Sequence, residues 1–594
     1  MVEQAPRSPA WLNLAVALKE LGRLEDVEAA CREALRLDPD FADAHNNLGN
    51  VLLARGRHAA AIDAFGTALR LRPADPNVAC NRALALKLSG RVTEAVATLM
   101  ATTAPLSPIP SFPGASPKPL RRPLRHTGRA GPIGRRGCSR TVCVSRASRQ
   151  RRWNWRRPSQ RSSITRRSTP PISCPRSALL SDPALRHRVP LAFLAALAHQ
   201  CFLSEYVYAE SQAETTDVSA LAQEIAAGPC DAESVAMLAC YRALGREPFA
   251  ATLHGRPELA AIASVIVRQV SEPAEEAALA ATLPSLAPIA DDVSVRVREQ
   301  YEENPYPRWC RLGLPEPRPF ACAIRELSRG ALIGAHLQVV SPRILVAGCG
   351  TGKHAILTAS RYAAARVTAV DLSRASLAHG ARQARRLGIR NIEFLQGDIL
   401  ELGRLESGFD LVESFGVLHH LRDPMAGWRV LADLVKPGGL MMIGLYSELA
   451  RQPVVEARRL IAARGYPSTL EGIRQFRADL RASGDPAVRR ALEQSVDFYS
   501  ASGCRDLLFH VQEHRYTVPL IEASVRAVGL EFLGFEPHDA TVLARYRERF
   551  PNDPSATCLA NWDAFEQEHA DTFAESYKFW LRKPGDALAL RGGE

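Results

Sequence analysis

Gly22, Gly56 and Gly90 stand 34 residues apart, and each is followed by an arginine. Pro39 and Pro73 keep the same interval, as do Ala34 and Ala68, and Leu18, Leu52 and Leu86. Small residues recur in step at Ala15, Gly49 and Ala83. On both sides of each glycine the apolar residues fall at helical spacing. Each unit therefore reads as two short helices joined by a turn, with proline ending the second. One such unit cannot bury its own apolar face, whereas stacked units share a core and leave a concave groove. Residues 8–105 are expected to form three units; the third departs from the pattern, with Arg82 where Leu14 and Leu48 sit.

The stretch "AWLNLAVALKELGRLEDVEAACREALRLDP" resembles the tetratricopeptide repeat family in register, period and small positions. The resemblance implies an all-α array whose groove receives a protein partner. Scaffolding alone is the other use of such an array, because a repeat fold does not name its partner.

The net charge of +12 has a single source. Between Glu94 and Asp182 there is no acidic residue, but one lysine and 17 arginines, which leaves the rest of the chain at −6. Residues 106–181 are rich in Arg, Ser and Pro and show no hydrophobic period, so they are expected to be disordered. Trp153 and Trp155 among the arginines would suit stacking on bases. A plain linker is a second reading. A local reading-frame error is the favoured third: Arg, Pro, Ser, Gly, Cys and Trp are common when GC-rich codons are read out of frame, and a repeat array needs a capping helix here. Nucleic acid is then an unlikely partner, since its support rests on this segment.

Residues 182–290 read as helical. The longest apolar stretch, "VPLAFLAALAHQCFL" (189–203), is too short for a bilayer and carries His199 and Gln200. No membrane association is expected. The start of the chain shows no secretory signal, and the 13 cysteines are scattered without a CxxC pair. A reducing cytoplasm is the expected location.

From about residue 293 short β-branched runs alternate with helices, at 343–350, 365–373, 391–398, 409–416 and 440–446. This alternation predicts a doubly wound, Rossmann-like α/β domain over 293–585. The next strand candidate, 530–536, follows only after a mostly helical insertion, 447–515, large enough to cover a substrate site. Phe573, Tyr577 and Trp580 lie at helical spacing and predict a docked C-terminal helix.

The run "ILVAGCGTGKHA" (344–355) takes a buried strand through Gly348, Gly350 and Gly352 into a helix. Glycines there permit a tight turn and close approach to a ligand, and the helix start offers free N–H groups. The spacing is GxGxG, which disfavours a nicotinamide cofactor held by GxGxxG. Asp371 ends the second strand, where a carboxylate can take ribose hydroxyls, and Asp398 ends the third, where one can accept from an adenine amino group. Either aspartate alone could be a helix N-cap.

This ordered set, with "GVLHHLRDP" and "KPGG" after it, resembles the class I S-adenosylmethionine-dependent methyltransferases. The resemblance implies a cofactor site at Gly348, Cys349, Gly350, Thr351, Gly352, Asp371, Leu372, Asp398 and Ile399, with S-adenosyl-L-methionine as cofactor and no metal. One position departs: the family often has an acid two residues before the first glycine, where Val346 stands. With "VREQYEENPYPRW" (297–309), "DFYSASGCRDLLFHVQEHRYT" (497–517) and the repeats, the chain is similar to bacterial tetratricopeptide-repeat methyltransferases. The implied function is methyl transfer to an unidentified acceptor, with the repeats recruiting a partner or substrate. A repeat adaptor with an inactive methyltransferase domain is the alternative.

Methyl transfer from a sulfonium needs alignment above all, and no catalytic dyad is evident. The candidates near the acceptor are His419, His420, Tyr301, Glu303 and Tyr306. The run containing Tyr301 and Tyr306 reads as a lid or as a linker packed on the sheet. His510 to His514 fits the zinc-peptidase pattern HxxEH in form, without an evident third ligand.

Overall fold

The computed structural model describes residues 24–98 except 74, 90, 92, 93, 96 and 97, residues 173–327 except 188, and residues 339–585 except 538 and 539. The start of the first repeat, Gly90, Trp153 and Trp155 lie outside the described residues, as does 101–172.

Helices α1 (Leu24–Leu37), α2 (Ala42–Ala54), α3 (His58–Leu71) and α4 (Pro76–Leu88) pack in succession. The conserved interval acquires a physical reason at Gly49. A Cβ there would lie 2.7 Å from the ring of Phe65, which is completely buried on the other helix of the same repeat. Ala34, Ala68, Leu52 and Leu86 are buried as their spacing predicts.

Ser173–Ser181 is helical, inside the segment expected to be disordered; Leu179 and Leu180 are buried in a core that accounts for its order. That core continues through Leu191–Leu203, Gln212–Ala227 and Ala232–Ala239 and takes in side chains from 454 to 508. The helical insertion after β5 and the helices ahead of the sheet thus form one body, although some 250 residues separate them. Helix α5 (Asp292–Glu303) then leads toward the sheet.

The sheet has seven strands in the order β3-β2-β1-β4-β5-β7-β6. These are β1 Arg343–Ala347, β2 Arg366–Asp371, β3 Ile392–Gln396, β4 Phe409–Phe415, β5 Val435–Leu445, β6 Glu531–Phe535 and β7 Tyr577–Arg582. The first five are parallel, and β7 is antiparallel to both β5 and β6. Alternate residues of β1 enter different cores: Leu345 and Ala347 one face, Ile344 and Val346 the other. Apolar residues on both sides are what a parallel sheet covered by helices requires. Helices α6 (Lys353–Arg361) and α7 (Arg374–Arg386) follow β1 and β2, and α8 (Ala501–Leu508) ends the insertion.

The C-terminal expectation needs correction. Tyr577 and Trp580 belong to β7, not to a helix. Tyr577, Phe579 and Leu581 enter one core while Trp580 enters the other. With both faces buried, apolar residues fill every position and the period becomes ambiguous.

Candidate active site

The chain leaves β1 toward β2 and β3 on one side, and β4 and β5 lie on the other. Open sheets bind ligands at such a switch point, beyond the strands' carboxyl ends. A cavity of about 400 Å³ lies there. Its walls include Gly348, Cys349, Gly350 and Thr351 after β1, Asp371 and Leu372 after β2, and Asp398 and Ile399 after β3. Val417 and His420 follow β4, and Tyr446 follows β5.

The glycine turn is determined first by the chain itself. Gly348 has φ +74°, and a Cβ on it would sit 2.1 Å from the Val417 side chain. Gly352, expected to touch cofactor, does not line the cavity. Its Cβ would meet the Gly380 Cα at 2.9 Å and the Phe394 ring at 3.1 Å, so its role is to let α6 pack on α7 and β3.

Asp371 accepts the Gly350 N–H at 2.7 Å and the Ser373 N–H at 3.0 Å. Burial raises its carboxyl pKa, and these backbone donors oppose the shift. Asp398 accepts the Leu400 N–H at 3.0 Å, so it caps a short helix as well as lining the cavity.

Residues 301–309 form a strap tied across the glycine turn. The Tyr301 carbonyl accepts from Ser373 Oγ, Glu302 accepts the N–H groups of Arg374 and Ala375, and the Pro307 carbonyl accepts from Thr351 Oγ1 at 2.6 Å. Tyr301 and Tyr306 thereby become cavity walls. Tyr301 Oη donates to Asp506 at 2.5 Å, and Tyr306 Oη donates to Asp497 at 2.6 Å. Burial and the neighbouring carboxylates push both phenols well above their ordinary range.

His420 Nδ1 donates to the Gln512 carbonyl at 2.6 Å, which assigns its proton to Nδ1. Burial lowers its pKa far below the ordinary range and keeps the ring neutral. Two other candidates stand elsewhere. His419 is fully buried against the Tyr446 ring, with centroids 4.0 Å apart, and does not line the cavity. Glu303 is 67% exposed and pairs outward with Arg505. Sequence spacing could not tell these neighbours apart, because adjacent residues on one turn face different ways. Asp506, Asp497 and Tyr446 were missed. Asp497 and Asp506 lie within 497–517, but no spacing assigns them to the cavity: Asp506 on α8 and Asp497 ahead of it meet the strap only through folding, and Tyr446 reaches the site from the end of β5.

His510 lies in a loop, so the HxxEH reading loses the helix it needs. His420, Asp506 and His510 have ligand-type atoms within 4.8 Å of one another. The two imidazoles, however, stack at 3.5 Å with planes 19° apart. Nitrogen lone pairs lie in the ring plane, so an ion about 2.1 Å from each nitrogen would sit far out of both planes. The arrangement suits stacking better than chelation.

The "Methyltransferase domain" family profile matches residues 344–439, and the "Tetratricopeptide repeat" profile matches 12–76 and 46–108. The chain is 31% identical to a ubiquinone biosynthesis O-methyltransferase of Bordetella avium, over 27% of this chain and 70% of that protein. The chain belongs to the class I S-adenosylmethionine-dependent methyltransferases. It is also 33% identical to an uncharacterized Synechococcus sp. protein over 34% of this chain, and it spans about half of that relative's length. Among solved structures, PKMT2 from Rickettsia typhi in complex with AdoHcy is 17% identical. The match covers 46% of this chain and 55% of that one, with a TM-score of 0.35.

The residues of this methyltransferase domain fit the family's cofactor. The cavity runs unbroken from the glycine turn past Asp371 to Asp398 and Ile399, as an adenosyl group and its amino-acid tail require. Beside Val346 in the sheet, Glu413 on β4 accepts from His354 at 3.0 Å, and His354 lines the cavity.

Proposed function

We propose that the chain transfers a methyl group from S-adenosyl-L-methionine to an acceptor held between Tyr301, Tyr306, His420 and Asp506. One observation carries this reading: a single cavity joins the glycine turn and its strand-end aspartates to that polar lobe. S-adenosyl-L-methionine, when bound, supplies an activated methyl group and a good leaving group. Gly348, Cys349, Gly350 and Thr351 would hold its amino-acid end, Asp371 and Leu372 the ribose, and Asp398 and Ile399 the adenine. The strap excludes water and fixes the angle of approach; alignment of this kind is worth on the order of 7–11 kcal/mol of barrier.

The repeats recruit a protein partner or the substrate itself, in keeping with their family. Among the described residues no helix is long and apolar enough to cross a membrane.

Calorimetric titration with S-adenosyl-L-methionine tests the cofactor assignment. Binding that weakens at least tenfold in Asp371→Ala is the expected result. Absence of heat and of any thermal shift would instead favour the inactive-adaptor alternative.

A further inference from the structure

We propose that the acceptor is a primary or secondary amine on an apolar stem, and that Asp506 receives its proton. This rests on the methyl-transfer reading above.

Three of the lobe's four hydroxyl and ring N–H hydrogens are already committed. Tyr301 gives its proton to Asp506 and Tyr306 gives its proton to Asp497. His420 gives its only ring proton to a carbonyl, so its Nε2 is a bare lone pair. What these groups and the Asp506 carboxylate offer a ligand is a set of acceptors. Tyr446 is the remaining hydroxyl, and no side chain claims its proton among the described residues.

A wall of acceptors selects its complement. An acceptor substrate rich in lone pairs, such as a carboxylate, would face mostly lone pairs and leave buried polar groups unpaired, at a cost that disfavours it. An alcohol or phenol brings one donor. An amine brings two, or three when protonated, and satisfies several wall atoms at once. Val297, one helical turn before Tyr301, lines the same cavity and suits an alkyl stem.

The chemistry is consistent with the geometry. A protonated amine has no lone pair for attack, so a base must take one proton first. Burial, chiefly, with the charge of Asp497, pushes Asp506 up to about 7 against the opposing hydrogen bond from Tyr301. His420 lies far lower and is a weaker base. Burial lowers the pKa of the bound amine in turn. Once the proton is on Asp506, the nitrogen lone pair forms the new N–C bond while the C–S bond breaks. That electron pair leaves on sulfur as a neutral thioether, and the methylated ammonium sheds its extra proton to solvent.

The full chain, supplied with methyl-tritiated S-adenosyl-L-methionine and a gel-filtered cell extract, provides the test. The expected product holds its label through alkali and through boron tribromide, and after acid hydrolysis binds a cation exchanger. Label released as methanol by alkali, or cleaved by boron tribromide, places the methyl on oxygen and overturns the amine assignment alone. No transfer at all, despite cofactor binding, overturns the methyl-transfer reading beneath it. Asp506→Asn preserves shape and an acceptor for Tyr301. It should slow labelling at least 100-fold with cofactor affinity changed less than twofold. A loss under threefold, with affinity intact, would show that another group takes the proton.

Discussion

Glu413 stands directly opposite Val346 in the register of β1 and β4. Its carboxylate is buried and accepts from Thr358 Oγ1 at 2.7 Å and from His354 at 3.0 Å. Burial alone would raise its pKa, but the His354 charge and the two hydrogen bonds hold it below the usual carboxyl range. An acid thus stands one strand away from position 346, bonded to a histidine on the cavity wall.

Removing that histidine leaves a buried carboxylate with one neutral donor. His354→Ala should destabilise the domain by about 3–5 kcal/mol near neutral pH, measured by urea unfolding. Because the folded pKa of Glu413 is depressed, its contribution is present above the ordinary carboxyl pKa and fades as pH falls through the folded value. The gap between wild type and His354→Ala should therefore narrow in acid. A gap independent of pH would contradict the pairing.

Asp506 carries the opposite sign. Its pKa rises on folding to about 7, so the folded state holds a proton that the unfolded state releases at lower pH. Stability should decline as pH rises from about 4 to 7, by up to a few kcal/mol at ~1.4 kcal/mol per unit. Asp506→Asn should flatten that slope, read as unfolding midpoints across the range. An unchanged slope would show that Asp506 ionises normally.

Val417 fills the space beside Gly348. Gly348→Ala should cost about 1–3 kcal/mol from crowding alone and weaken cofactor binding more than tenfold. Adding Val417→Ala should recover part of the loss but not all, since φ +74° still disfavours a side chain. Full recovery in the double variant would mean that the backbone conformation carries no cost.

Phe65 is the knob on which the two helices of the second repeat close. Phe65→Ala should cost the array about 3–5 kcal/mol, while cofactor affinity stays within twofold because the sheet has a separate core. Circular dichroism melting and calorimetry on the same sample would separate the two effects.

Where pattern and structure agree, the pattern was local. The interval of 34 placed Gly49 and Ala68, and the alternation of short strands with helices placed β1 to β5 and the aspartates at the tips of β2 and β3. The C-terminal strand misled because both its faces are buried, which erases the period that distinguishes a strand from a helix. His419 and His420 could not be ranked, because one residue's difference along a turn decides between a packed ring and a cavity wall.

The amino-acid sequence by itself determined the repeat array, the α/β class, the glycine turn and its strand-end carboxylates. Each follows from spacing within a few residues, where backbone geometry translates directly into position. Only the tertiary structure decided that Tyr301 meets Asp506, 205 positions further along the chain, and that Glu413 stands beside Val346. Such meetings depend on the shared core of the insertion and the helices ahead of the sheet. That core forms because apolar faces distant in the chain must cover one another, and no short-range pattern records which faces will do so.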